Sequence, residues 1–330
     1  MTDTVVTIIS SIFLPVILLV NICFAITVVF IERKNPTATV AWLMALVLLP
    51  VIGFVLYLFF GQSFYRDRMF RTKKEDDEIL TDIIETQKKG LFTTEIPFSS
   101  PISVSYRRMM LMLMESNRAP VTIKNQVKIF IDGNEKFAAL LEAIRGAKDH
   151  IHMEYYILKD DEIGREVFSA LTERARAGVT VRFLGDGLGC AGPGKEFYRP
   201  FTEAGGKLAF FFPSLLHISH PRINYRNHRK IAVIDGKTGF IGGFNIGDDY
   251  LGRVPEWAPW RDTAVQVQGY AVLAMQTRFF LDWNYAAKGD ELGFSHRYFP
   301  EEPAPPDAWL PIQVVSGGPD TYWNPIKESY

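Results

Sequence analysis

With 330 residues the chain is long enough for more than one folding unit. Its 36 Lys and Arg against 37 Asp and Glu leave a formal charge of −1, so no global basic excess draws nucleic acid and any phosphate site must be local. Two cysteines, Cys23 in an apolar run and Cys190 in a glycine-rich loop, exclude a disulfide framework and suit a reducing compartment.

Residues 5–31 and 38–60 are apolar runs without a charged side chain. At ~1.5 Å rise per residue each is long enough to cross a hydrocarbon core of about 30 Å. Only Glu32, Arg33, Lys34, Asn35, Pro36 and Thr37 separate them, which predicts a two-helix transmembrane hairpin over residues 1–64. A cleaved signal peptide is the rival for the first run, but no basic segment precedes it and it exceeds a typical signal-peptide core. Arg66, Arg68, Arg71, Lys73 and Lys74 outnumber Arg33 and Lys34, so the bulk of the chain is expected on the cytoplasmic side of the cell membrane. Residues 65–120 read as a juxtamembrane connector, ending in a methionine-rich helix around Met109 and Met114 that packs on the following domain.

Beyond this point short apolar strands alternate with amphipathic helices. Strands are expected at 127–131, 150–158 and 179–184, with helices at 135–147 and 163–177, a βαβαβ pattern of class α/β. A helix near 195–204, a strand near 207–212 and a later hairpin complete the layer, giving a domain over residues 121–305.

Two stretches compete as phosphate sites. Gly187-Leu188-Gly189-Cys190-Ala191-Gly192 matches the dinucleotide fingerprint in spacing, but it follows the third strand and runs into Pro193, so it reads as a mobile loop at the sheet's edge. The second stretch contains His228, Lys230 and Asp235. Alternation along a strand points His228 and Lys230 to one face and Ile231 and Val233 to the other. Asp235-Gly236 predicts a tight hairpin turn whose returning strand brings Asn245 back to the level of His228. A phosphate would then meet an imidazole nucleophile, an ammonium that neutralises its oxygens and an amide donor. Asp235, at the strand end, is placed to fix the turn and the neighbouring backbone.

His228-x-Lys230, four residues, Asp235, and then Gly242-Gly243-Phe244-Asn245 resembles the signature of the phospholipase D superfamily. The family usually has Ser where Gly243 stands. Within it the chain is similar to the bacterial cardiolipin synthases. Glu32-Arg33-Lys34-Asn35-Pro36, Ala41-Trp42-Leu43, His152-Met153-Glu154-Tyr155-Tyr156, Asp248-Asp249-Tyr250 and Trp260-Arg261-Asp262-Thr263 carry the likeness. The resemblance implies phosphatidyl transfer without metal or cofactor, with phosphatidylglycerol and membrane phospholipids as partners and no nucleic acid. It further implies His228, Lys230 and Asp235 as the catalytic motif, Lys230 and Asn245 on the phosphate, and Asp262 as the acid that orients His228. An ion pair between Asp262 and a nearby Arg is the alternative for that carboxylate.

Family members carry two His-x-Lys motifs, whereas His150, His152, His217, His220 and His296 begin no second one here. Residues 312–319 echo the strand and glycine turn near residue 127, so residues 306–330 are expected to start a second, truncated repeat. The missing half then belongs to a longer chain or to a partner chain, and this chain alone is expected to turn over little. A membrane-bound phospholipase D-type hydrolase, another phosphatidyltransferase and an inactive lipid-binding half site are the alternatives. The apolar stretch 210–218, with Trp257 and Trp260, is expected either to dip into the membrane interface or to pack against the missing half.

Overall fold

The computed structural model describes residues 14–31, 36–57, 105–212, 226–254, 260–293, 295–318 and 326. Residues 213–225 and Trp257 lie outside them, with most of the connector and of the proposed interfacial loop. The chain divides into two compact units, the smaller containing the N-terminal helices.

In the N-terminal unit, α1 (Leu14–Ile26) runs into a π-helical turn (Thr27–Ile31), and α2 (Pro36–Leu48) and α3 (Pro50–Leu56) follow. Pro50 has no N–H to give to the Leu46 carbonyl, which is why the second apolar run is broken in two. Asn21 of α1 repairs the break, its amide donating to the Leu46 carbonyl at 3.1 Å and the Pro50 carbonyl at 2.9 Å. Phe24, Trp42, Phe54 and Tyr57 form an aromatic cluster beside it. Among the described residues no helix is long and apolar enough to cross a membrane. The two-span expectation therefore finds no support in these helices, because Pro50 divides one run and residues 5–13 of the other lie outside the described part. The outer surface is apolar all the same: Val47, Leu48 and Leu19 are 70%, 67% and 63% exposed. A surface of that kind marks a membrane-associated segment.

The larger unit is an α/β domain around an eight-stranded mixed sheet, ordered β4-β3-β2-β5-β6-β7-β1-β8. It opens with α4 (Arg107–Asn117) and β1 (Val121–Phe130), then α5 (Gly133–Gly146), β2 (His150–Tyr155), α6 (Glu162–Arg176) and β3 (Thr180–Asp186). Next come α7 (Lys195–Glu203), β4 (Lys207–Phe211), β5 (Ile231–Ile234), β6 (Thr238–Gly242), β7 (Ala264–Gly269), α8 (Ala271–Ala286) and β8 (Leu310–Gln313). Asp132 starts α5 by accepting from Asn134 N at 2.8 Å and Glu135 N at 3.1 Å, and Asp161 starts α6 by accepting from Gly164 N at 3.0 Å. Gly178, in the left-handed region, follows the end of α6. β2, β3 and β4 run parallel, joined through α6 and α7, while β5 joins β2 antiparallel.

One face of the sheet packs on α5 and α6 through Phe137, Leu140, Ile151, Met153, Val167, Phe168, Phe183 and Phe201. Side chains of this size, fully buried, each stabilise the fold by about 2 kcal/mol. The other face packs on α8 through Val233, Val272, Met275, Phe279 and Trp283.

Three features of the sheet bear on the sequence reading. β1 is not next to β2 but at the far side of the sheet, between β7 and β8. The segment expected to open a second repeat supplies β8, which pairs with β1 of the same sheet. Finally, β5 begins at Ile231, so His228 and Lys230 lie on irregular backbone just ahead of the strand.

Candidate active site

β2 and β5 are paired antiparallel from Glu154 opposite Ile231 to Ile151 opposite Ile234. His228 and Lys230 therefore emerge at the C-terminal end of β2, and Asn245 returns to it after β6. His228 is exposed, whereas Lys230 is 5% and Asn245 4% exposed. Lys230 Nζ lies 3.0 Å from His228 Nδ1 and donates to the His228 carbonyl at 2.8 Å. The Tyr156 ring packs on the imidazole with centroids 4.5 Å apart and lies under the ammonium at 5.2 Å.

Desolvation and then the positive charge of Lys230 lower the pKa of His228, while Asp186 opposes the shift, so the ring is neutral at physiological pH and keeps a lone pair. Burial likewise pushes Lys230 down to about 8, with Asp262 opposing. Asn245 is clamped: Oδ1 accepts from Ile157 N at 3.0 Å and Nδ2 donates to Tyr250 Oη at 2.7 Å. One amide hydrogen is left for a ligand.

Asp262 is not hydrogen-bonded to His228. Its carboxylate accepts from Thr263 N at 2.7 Å and from Trp260 Nε1 at 3.5 Å, and its charge acts on Lys230. A side chain at Gly243 would overlap that carboxylate, so glycine at this position is what allows Asp262 to lie there. The acid that acts on His228 is Asp186, at the end of β3 and fully buried. Asp235 sits at the other end of β5. It accepts from Lys148 N at 2.9 Å, Asp149 N at 2.8 Å and His150 N at 2.9 Å, pinning the entry to β2. The structure thus brings His228, Lys230 and Asn245 together, sets Asp262 beside Lys230, and leaves Asp235 remote.

The glycine-rich stretch 187–192 does not cradle a phosphate. Leu188 N and Gly189 N donate to Asp186 Oδ1 at 2.9 and 3.2 Å, Gly187 N donates to Phe211 O at 2.8 Å, and Cys190 N donates to Asp186 O at 2.9 Å. Donors so committed cannot serve an anion. Nor is the stretch a loose edge loop, since Gly189 packs so closely on the Tyr156 carbonyl that a side chain would collide with it. The loop buttresses the residue whose ring holds His228. Tyr156 and Asp186 had no role assigned from the sequence; the nearest signal was the run from His152 to Tyr156, which carried family likeness without a chemical reason.

Residues 13–62 match the family described as "Phospholipase_D-nuclease N-terminal", and residues 140–263 match "Cardiolipin synthase, PLD-like domain". A cardiolipin synthase of Staphylococcus aureus (strain N315) is 42% identical over 98% of this chain and 65% of its own length. The major cardiolipin synthase of Bacillus subtilis (strain 168) is 42% identical over 98% of this chain and 66% of its own length. A cardiolipin synthase of Listeria innocua gives 42% over 96% and 65%. The chain spans about two thirds of the length of these curated relatives. On the match of its α/β domain and the identity along nearly all of its residues, the chain belongs to the bacterial cardiolipin synthase family of the phospholipase D superfamily.

Proposed function

We propose that the site transfers a phosphatidyl group between two phosphatidylglycerol molecules, giving cardiolipin and glycerol. The observation that carries this reading is a neutral, exposed imidazole held 3.0 Å from a buried ammonium on a chain whose N-terminal unit is apolar outside. A phospholipid suits that combination better than nucleic acid, given the net charge of −1. His228 attacks phosphorus, the P–O bond to the donor glycerol breaks, and glycerol leaves with a proton. The hydroxyl of a second phosphatidylglycerol then attacks the phosphohistidine, loses its proton and releases the imidazole. Lys230 and the remaining Asn245 hydrogen neutralise charge on the non-bridging oxygens in both steps. The Asp262 charge favours the ammonium form of Lys230 that does so. Asp235 acts on the backbone only.

The proton for leaving glycerol comes from a second His-x-Lys half, supplied by further sequence or by another chain. The two apolar runs form a membrane hairpin with the α/β domain on the cytoplasmic side. The experiment is to incubate the chain in phosphatidylglycerol vesicles and look for phosphatidyl-histidine and cardiolipin. The expected result is an adduct on His228 that His228→Ala abolishes, with little sustained turnover until the second half is added. Sustained release of phosphatidic acid in place of cardiolipin by the completed enzyme would assign a hydrolase instead.

A further inference from the structure

Between α8 and the start of β5, next to His228 and Lys230 in the chain, lies a buried polar group that the reaction steps leave unused. His228 stands ahead of β5, so no ladder of backbone hydrogen bonds fixes it. Its two neighbours are held instead. Asn227 donates through its backbone N–H to Asp186 Oδ2 at 2.9 Å, through its side-chain amide to Glu154 Oε1, and accepts from Arg229 N at 3.3 Å. Arg229 meets Asp282 of α8 at 3.1 Å and donates to the Gly317 carbonyl at 3.0 Å. Arg278 grips the same Asp282 with two bonds of 3.0 and 2.7 Å. Glu154 and Asp282 have no solvent exposure. Burying such groups stabilises a fold no better than packing apolar side chains of the same size. The geometry they impose is therefore the better explanation of their presence.

We propose that Glu154 and Asp282 are positioning residues for His228, fixing the backbone on both sides of it through Asn227 and Arg229 and so setting the angle at which its ring meets Lys230 and Tyr156. The inference deepens the proposed reaction and rests on His228 being its nucleophile. Burial and the nearby Asp282 push the Glu154 carboxyl up to about 8, so it is neutral at physiological pH and two bare negative charges do not face each other under the strand. Asp186 closes the arrangement from the glycine loop, holding Asn227 with one oxygen and Leu188 and Gly189 with the other.

The test is the titration of the His228 ring, followed by NMR on the full chain carrying labelled histidine. In Glu154→Leu and in Asn227→Ser the ring moves off Lys230 and Tyr156, so its pKa rises toward the ordinary 6.5. Glu154→Gln, which keeps an oxygen for the Asn227 amide, returns it most of the way to the wild-type value. A purely structural role would lower thermal stability without this pattern. An unchanged His228 titration in folded Glu154→Leu and Asn227→Ser overturns the proposal, and the milder Asn227→Ser decides if Glu154→Leu does not fold. A second arm measures single-turnover adduct formation on His228 in phosphatidylglycerol vesicles, where both variants are expected to be slower by about tenfold at unchanged vesicle binding. A wild-type chain that forms no adduct counts against the proposed reaction, and the titration then judges the positioning role by itself.

Discussion

Lys230 carries its charge at 5% exposure, and the cost shows in a pKa lowered to about 8 by burial. Its ammonium form is the one that neutralises phosphoryl oxygens, so activity should fall as pH rises through about 8. A pH–rate profile of adduct formation checks this, and Lys230→Met should cost about a hundredfold or more. At this scale much of the site was legible. The closeness of His228 and Lys230, two positions apart, is local even though strand alternation does not reach them, and so is the hairpin turn at Asp235 and Gly236, both in the left-handed region that a tight turn of this kind demands. What the sequence could not show is where a carboxylate points. Asp262 lies 34 positions beyond His228 in the chain, and its direction is settled by the empty space at Gly243 and by the Trp260 and Thr263 donors.

At the scale of elements, α5 and α6 could be read to within a few residues because their starts are written locally, in the capping carboxylates Asp132 and Asp161, whereas α8, which has no side-chain cap, was not anticipated. Strand neighbours were not legible in the same way. β1 lies beside β7, more than 130 residues later, and only the fold brings such segments together. The break at Pro50 is likewise visible in the sequence, whereas its repair from α1 is not. Asn21→Leu removes the donor to the Leu46 carbonyl, and in an apolar surrounding the loss should weaken the association of α1 with α2 by about 1 kcal/mol. Helix-pair association measured in detergent micelles checks this, and the same variant should leave the titration of His228 where it was.

For the molecule as a whole, two kinds of chemistry lie side by side: the reacting imidazole, and a set of buried ionisable groups whose protonation is tied to folding. Glu154 has its folded pKa raised from 4.5 to about 8. Over that window the unfolded chain has released a proton that the folded chain still holds, so the Glu154 contribution to stability declines as pH rises. Glu154→Gln should therefore gain more stability over wild type at pH 8 than at pH 5, as read from urea midpoints. His150 and His152, both buried with lowered pKa values, act in the opposite direction, costing stability as pH falls below the ordinary 6.5. Asp235 serves the fold and not the nucleophile, since four residues of extended chain, roughly 15 Å, separate it from Lys230. Its oxygens close the start of β2 by holding three successive N–H groups. Loss of activity in Asp235→Ala should consequently be a matter of temperature: recovered in the cold or with a stabilising osmolyte, and lost together with the melting transition. His228→Ala, by contrast, stays silent at every temperature. The three letters of one motif would then fail for two different reasons, one chemical and one thermal.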